Sequence, residues 1–262
     1  ILSNLKKNNI NNVIMEASSH GLSQNRLDGL SFNTGIFTNL SQDHMDYHKN
    51  IKAYLKAKLY LFEQLIKKDG VIITDEKISE YKQIKKIASN KNLNLFSLLD
   101  KKNNFQFLSH QFEGEAQLLK MKYNNSMHII KLNLIGKVQL KNILMAIIAA
   151  IKSDISIKDI LKVIPRIKSV DGRFEKIGKI KNNSKIILDY AHTPDALKTC
   201  LKNLKEQFPG HKVSLVFGCG GNRDSNKRSK MGKIADYFSD KIYLTDDNPR
   251  LEQPSKIRKD IK

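Results

Sequence analysis

DYAHTPDAL (Asp189 to Leu197), FGCGGNRD (Phe217 to Asp224) and TDDNPR (Thr245 to Arg250) fall in one stretch of the chain, each behind a short apolar run. The runs are Lys185 to Leu188, Val213 to Phe217 and Lys241 to Leu244, and helical patterns separate them. This alternation predicts βαβ units with polar turns at the carboxyl ends of parallel strands, where open α/β sheets hold their ligands. The polar clusters thus sit where a site belongs.

Toward the N-terminus the same logic recurs. Asn12 to Glu16 (NVIME) is an apolar run closing on a carboxylate and is expected to form a strand. Glu16 is then either a ligand for a hard cation such as Mg²⁺ or a surface charge. Gly35 to Leu40 is a second expected strand and empties into SQDHMDYHKN (Ser41 to Asn50), with two Asp and two His in one turn. His44, Asp46 and His48 have the order of a transition-metal site, yet no HExxH and no Cys support it, so Mg²⁺ with phosphate oxygens fits better. Ala53, Ala57, Tyr60 and Leu61 predict a helix over Ile51 to Leu65. Gly70 to Asp75 predicts a third strand, and the Lys- and Asn-rich stretch Glu76 to Tyr123 predicts short strands and a helix. Met127 to Leu134 alternates as a strand does, Gly136 to Asp154 is a strongly apolar helix with Asn142 near its start, and Ser156 to Ile164 is a shorter helix. Pro165 and the following SVDGRFEKIG predict a linker, with a domain boundary near Ser169.

At 262 residues and 40% hydrophobic content the chain can build two cores. No apolar run is long enough for a membrane span and no signal peptide opens the sequence. Cys200 and Cys219 supply neither a disulfide framework nor a metal spacing, which points to a reducing cytoplasm. The formal charge of +20 comes from Lys dispersed among Asn and Ile, with no basic stripe. No nucleic-acid partner is expected from it.

MEASSHGLSQNRLDGLSF, FTNLSQDHMDYH, AYLKAKLYLF, DGRFE, DYAHTPDAL, FGCGGNRD, KRSKMGKIA and TDDNPR, in this order, resemble the Mur ligase family of ATP-dependent amide-bond-forming enzymes. The resemblance covers essentially the whole chain and is weakest from about Glu76 to Met127. It implies an α/β chain: a partial central P-loop-type ATPase domain over residues 1–168, then a truncated Rossmann-like C-terminal domain over residues 169–262. It further implies a cytoplasmic, monomeric ligase that uses ATP to phosphorylate a carboxylate, which an amine then attacks. Within the family, the motifs are most similar to the branch that adds meso-2,6-diaminopimelate to UDP-N-acetylmuramoyl-L-alanyl-D-glutamate (UDP-MurNAc-L-Ala-D-Glu) in peptidoglycan precursor synthesis. By the same resemblance Glu16 and His44 match Mg²⁺-binding positions, and Lys58 matches a lysine that is carbamylated to hold a second Mg²⁺. Ser18, Gln24 and Arg26 match contacts to the UDP-linked dipeptide. Asn142, Arg173 and Asp189 match ATP contacts; His192 either lines that site or is a strand-end His satisfied by backbone. Asp247, Asn248, Pro249 and Arg250 match the loop that reads the incoming amine, and Arg223 matches a second amine-contacting arginine. A guanidinium pairs bidentately with a distal carboxylate that lysine lacks.

The sequence also departs from the family. No phosphate-binding loop of the form GTxGKT is present, and GKVQLKN at Gly136 lacks its paired Gly and its Ser/Thr. The chain is therefore expected to be a fragment, catalytically incomplete alone. Two alternatives stay open: a ligase of the folylpolyglutamate synthase type, and an inactive fragment or basic anion-binding module.

Overall fold

In the computed structural model, residues 2–99 and 104–262 are described. The chain opens with helix α1 (Leu2–Lys7) and, after an extended stretch, a short helix α2 (Ser19–Ser23) capped by Ser18, whose hydroxyl accepts from the Gly21 N–H. Strand β1 (Phe32–Phe37), helices α3 (Met45–His48) and α4 (Ile51–Tyr60), and strand β2 (Ile66–Thr74) follow. Asn50 caps α4 through its side chain, which is why the helix starts after the polar turn. The predicted helix to Leu65 is continuous, but its last turn, Leu61–Leu65, is a π-helical one that feeds straight into β2. Helix α5 (Tyr81–Asn90) and strand β3 (Asn94–Ser97) complete a parallel sheet in the order β1-β2-β3. Phe37, Leu59, Phe62, Ile72, Ile84 and Ala88 pack between this sheet and its helices.

Strands β4 (Phe105–Glu113), β5 (Ala116–Tyr123) and β6 (Ser126–Leu132) form an antiparallel meander, the short strands expected in the Lys- and Asn-rich stretch. Residues 100–103 of that stretch lie outside the described residues. The meander rests its apolar face (Leu119, Met121, Ile130, Leu132) on helix α6 (Lys137–Ile151), which offers Leu140, Leu144, Ile147 and Ile148. Helix α7 (Ile157–Val163) joins the same core, and each fully buried aliphatic side chain there contributes about 1.5–3 kcal/mol.

The remaining elements are strands β7 (Glu175–Lys179) and β8 (Lys185–Leu188), helix α8 (Pro194–Gln207), strand β9 (Ser214–Phe217), helix α9 (Lys227–Phe238), strand β10 (Lys241–Leu244) and helix α10 (Pro254–Ile261). DYAHTPDAL works as a helix start: Thr193 accepts from the Ala196 N–H, Pro194 supplies the first turn, and Asp195 faces the positive helix end. Strands β9 and β10 pair in parallel as expected. Strand β8 does not join them; it pairs antiparallel with β7, the two strands forming a hairpin through the turn at Lys181–Asn183. Leu197, Leu201, Met231, Ile257 and Ile261 form the core of this part.

One predicted strand is absent. Asn12 to Glu16 is extended but unpaired, and Ile14 is fully exposed. A strand exists only where a neighbour takes its backbone hydrogen bonds, and no described strand lies beyond β1 to do so.

Candidate functional site

The turn after β1 gathers the first group of candidates. His44 sits in the left-handed region (φ 56°), a conformation held here by its own N–H donating to Asp43 Oδ1 at 2.8 Å. The His20 ring meets His44 edge-on at 4.8 Å and lies 4.2 Å from Tyr47. His48, buried, is within 2.9 Å of Ser19 Oγ; burial and the nearby His20 and His44 push its imidazole below the ordinary His range. Tyr47 Oη joins this turn to the α2 segment: Ser23 Oγ lies 2.8 Å away and Gln24 Nε2 donates to it at 3.1 Å, while Arg26 donates to Gln24. Ser18, Gln24 and Arg26 are thereby brought beside the DHMDYH turn.

Lys58 reaches the same place from α4. Its Nζ donates to the Asn39 carbonyl at 3.3 Å and lies over the Tyr54 ring at 5.0 Å. Burial lowers its ammonium below the usual Lys value, against the opposing pull of Asp43 and Glu80. Glu16 is not part of this group: it stands on the exposed unpaired stretch and makes no hydrogen bond or ion pair with a described residue.

Asp43, which the sequence reading passed over in favour of His44, is the centre. Its Oδ2 faces His44 Nε2 at 3.6 Å and, from the far half of the chain, His192 Nε2 at 3.4 Å. Burial alone would raise the Asp43 carboxyl, yet the hydrogen bond with His192 and the His44 N–H hold it below the ordinary range. The Asp43 bond correspondingly raises His192. His192 Nδ1 also lies 3.0 Å from the Tyr190 carbonyl, and Lys227 Nζ donates to the His192 carbonyl at 2.7 Å.

The expected nucleotide residues form a chain of contacts behind it. Asn142 Nδ2 donates to Gln139 Oε1 at 3.3 Å, and Gln139 Nε2 donates to the Arg173 carbonyl at 3.2 Å. The Arg173 guanidinium lies 4.7 Å over the Tyr190 ring. Asp189 Oδ2 accepts from the Phe174 N–H at 2.9 Å, and burial raises its carboxyl above the usual value. A planar cation on an exposed phenol ring offers an aromatic face and an anion partner side by side.

The amine-loop candidates are laced together. Arg250 Nη1 donates to the Gly221 carbonyl at 2.7 Å, the Gly221 N–H donates to the Asn248 carbonyl at 3.1 Å, and the Leu251 N–H donates to Asn222 Oδ1 at 2.9 Å. Pro249 lies so close to Gly221 that a Cβ there would stand 1.8 Å from its carbonyl oxygen, so only glycine fits. Asn222, Asn248 and Arg250 all have positive φ, a strain that persists only where surroundings enforce it. Arg223 reaches back across the gap to Asp46 Oδ2 at 3.4 Å, while Asp247 borders Gly218.

Mg²⁺ keeps several waters and needs only one or two carboxylates beside substrate phosphates. Asp43 and Asp46 are such oxygen donors, though among the described residues no three His, Cys, Asp or Glu side chains converge as a ready metal cage. His48 enters the sequence reading only through the HxDxH order, and Tyr47, His20, Asp43 and Lys227 are not singled out; for Asp43 and Tyr47 the density of His and Asp in DHMDYH is the only signal.

Comparison with known proteins follows this geometry. The profile described as Mur ligase middle domain matches residues 1–150, and that described as Mur ligase, glutamate ligase domain matches residues 172–262. A Rickettsia montanensis protein named UDP-N-acetylmuramoyl-L-alanyl-D-glutamate–2,6-diaminopimelate ligase is 39% identical over 262 residues, 100% of this chain and 54% of that protein. A solved structure of UDP-N-acetylmuramoyl-L-alanyl-D-glutamate–2,6-diaminopimelate ligase is 31% identical and superposes with a TM-score of 0.63 over 94% of this chain and 50% of that one. The apo form of L. casei FPGS superposes with a TM-score of 0.62 at 18% identity, over 86% of this chain and 54% of that one, a likeness of fold alone. The chain spans about half the length of the curated relatives it matches.

Proposed function

The chain belongs to the Mur ligase family, whose middle-domain profile alone covers residues 1–150, and we propose that it is the catalytic portion of an ATP-dependent ligase joining meso-2,6-diaminopimelate to UDP-MurNAc-L-Ala-D-Glu. One observation carries this reading: residues from separate motifs meet across the two halves, His192 at Asp43 and Arg223 at Asp46. A ligase that joins three substrates needs such a meeting, since the reacting carboxylate, phosphate and amine must be held within bonding reach of one another.

In this reading residues 1–168 hold the nucleotide-linked acid and residues 169–262 bring the amine. Ser18, Gln24 and Arg26 bind the UDP-linked dipeptide, and Tyr47 holds Gln24 in place. Asn142, Arg173, Asp189 and His192 hold ATP, with Arg173 and Tyr190 offering charge and stacking surface. When bound, Mg²⁺ supplies charge neutralisation for the phosphates; His44 and Asp43, and Lys58 once carbamylated, are the residues that would hold it. Burial that disfavours the Lys58 ammonium also makes its amine available to CO₂, forming a carbamate carboxylate with release of one proton. Glu16 joins this set only if its segment moves from where it stands. Arg223 and the Asp247–Arg250 loop receive the amine. Arg250 spends Nη1 on backbone carbonyls, and among the described residues Nη2 and Nε have no protein acceptor, which leaves an edge for a carboxylate.

The test is ATP-dependent amide formation by the full-length protein with meso-diaminopimelate, with L-lysine, and with folate plus glutamate. Turnover with diaminopimelate is expected, and Arg250→Ala should lower it by about tenfold or more through loss of a charge-assisted pair. Equal turnover with lysine, or an indifferent Arg250→Ala, would refute the loop assignment. Folate turnover would refute the substrate assignment.

A further inference from the structure

Among the described residues Arg228 is the largest side chain that is almost wholly buried, at 1% exposure. A guanidinium loses hydration there and must recover it through fixed partners. Its two amino groups have them, Nε alone being buried without an acceptor among the described residues: Nη1 and Nη2 each donate at 2.8 Å to one oxygen of Glu252, Nη1 also donates to Asp260 Oδ2 at 2.8 Å, and Nη2 reaches the Gly220 carbonyl at 3.4 Å. Arg228 stands on α9, Glu252 two residues past the TDDNPR loop, Gly220 inside the GGNRD loop, and Asp260 on α10. Glu252 is the junction, because its Oε1 also accepts the Asn222 N–H at 2.5 Å. That array pulls the Glu252 carboxyl down to about 2, so it stays ionised at any physiological pH.

We propose that Arg228 is a positioning residue which, through Glu252, locks the loop of Arg223 and the loop of Arg250 into a single amine-receiving unit. The inference rests on the amine role of those loops given above. Its geometry is independent of that role. The two bonds between the loops (the Gly221 N–H to the Asn248 carbonyl, the Leu251 N–H to the Asn222 side-chain oxygen) and the positive φ of Asn222, Asn248 and Arg250 describe a conformation that does not hold itself. An anchored carboxylate behind it supplies the enforcement. A lysine cannot replace this anchor, since one ammonium does not present two parallel N–H groups to one carboxylate.

Asp260 gives the control. It binds the same guanidinium but touches neither loop, so removing its charge weakens the α9–α10 packing and leaves the loops anchored. The experiment compares Arg228→Lys, Glu252→Gln and Asp260→Asn in the full-length protein, reading the KM of each substrate, kcat and Tm. It adds amide hydrogen exchange at Gly221, Asn222 and Leu251 without ligand. The expected result is a rise in the amine KM of about tenfold or more for Arg228→Lys and Glu252→Gln, with the KM values for ATP and the UDP-linked acid unchanged. Asp260→Asn should lower Tm alone. Exchange at the three amides should quicken in the first two variants and not in the third. A merely structural Arg228 predicts lowered apparent kcat with every KM unmoved; that outcome, or Asp260→Asn matching Glu252→Gln, overturns the proposal. Should the wild type show no amine turnover, the function proposed above falls, and the exchange arm still decides whether Arg228 locks the loops.

Discussion

Gln207→Leu tests how the two halves of the chain are joined. Gln207, 3% exposed at the end of α8, accepts the Gly136 N–H at 2.7 Å and donates through Nε2 to the Gly114 and Glu115 carbonyls at 3.3 and 3.1 Å. Leucine has nearly the same volume, so little cavity is made and the loss is polar. The Gly136 N–H at the start of α6 would be buried without an acceptor, which costs about 1–3 kcal/mol, and the two carbonyls lose one net hydrogen bond each at about 0.5–1 kcal/mol. The sum is roughly 2–5 kcal/mol, a substantial share of the 5–15 kcal/mol that holds a typical domain. With no Trp and 8 Tyr, urea unfolding is best followed by circular dichroism and Tyr fluorescence together. A midpoint lower by roughly 1–2.5 M is expected for a slope of about 2 kcal/mol/M. Asn203 accepts the Val138 N–H at 3.1 Å on the same helix end, so Asn203→Leu should be non-additive with Gln207→Leu. A destabilisation below about 0.5 kcal/mol would show that these groups find other partners, and the reasoning would fail.

The Lys58 and His192 environments each predict a pH dependence. Burial lowers the folded Lys58 pKa below its unfolded value of 10.5, so between the two the unfolded chain holds more protons and stability rises with pH. Wild type should therefore gain on Lys58→Met as pH climbs through that interval in urea titrations; a difference flat in pH would refute it. For the ion pair, His192 is raised, so its contribution is complete below 6.5 and lost as pH rises through the folded value. Asp43 is lowered, so its contribution is present above 3.8 and lost as pH falls through its folded value. The advantage of wild type over His192→Gln should peak between these limits and fade in mild alkali, and an advantage that persists unchanged there would mean the pair is not ionic.

Much of the fold is legible where the signal is local. The α6 periodicity, the Thr193-Pro194-Asp195 start of α8 and the short runs of β9 and β10 need no distant partner to be read. NVIME misleads for the complementary reason: Val13, Ile14 and Met15 have the composition of a strand, but pairing is a property of two segments and one segment cannot report it. The site divides the same way. Arg223, Arg250 and Lys58 are visible through the motifs that contain them, whereas Asp43 stands out over His44 only once His192, far away in sequence, is placed against it. Gln117, Asn203 and Gln207 give no sign at all, because an amide on an apolar helix or strand looks solvated until the carbonyls it meets are known. Arg228 is likewise hidden in KRSK, indistinguishable by type from its exposed neighbours.

The contacts that join the halves are of two kinds, and the difference matters to what the site can do. On one side the buried amides of Asn203 and Gln207 knit the meander and the start of α6 to α8, and Gln117 ties the meander to the start of α6. Such bonds are directional and uncharged, so neither salt nor pH relaxes them, and sliding the halves would orphan several buried groups at once. On the other side Asp43 meets His192 and Asp46 meets Arg223 through partly or fully exposed charges, each worth about 0–1 kcal/mol. Of the candidate residues, His44, Lys58, His192 and Arg223 lie on this second side. A substrate carboxylate or phosphate arriving there can displace a protein carboxylate at small cost, while the amide side keeps the two sets of loops in register as it does so. In the proposed ligase, that division would let one chain be both rigid enough to align three reactants and open enough to admit them.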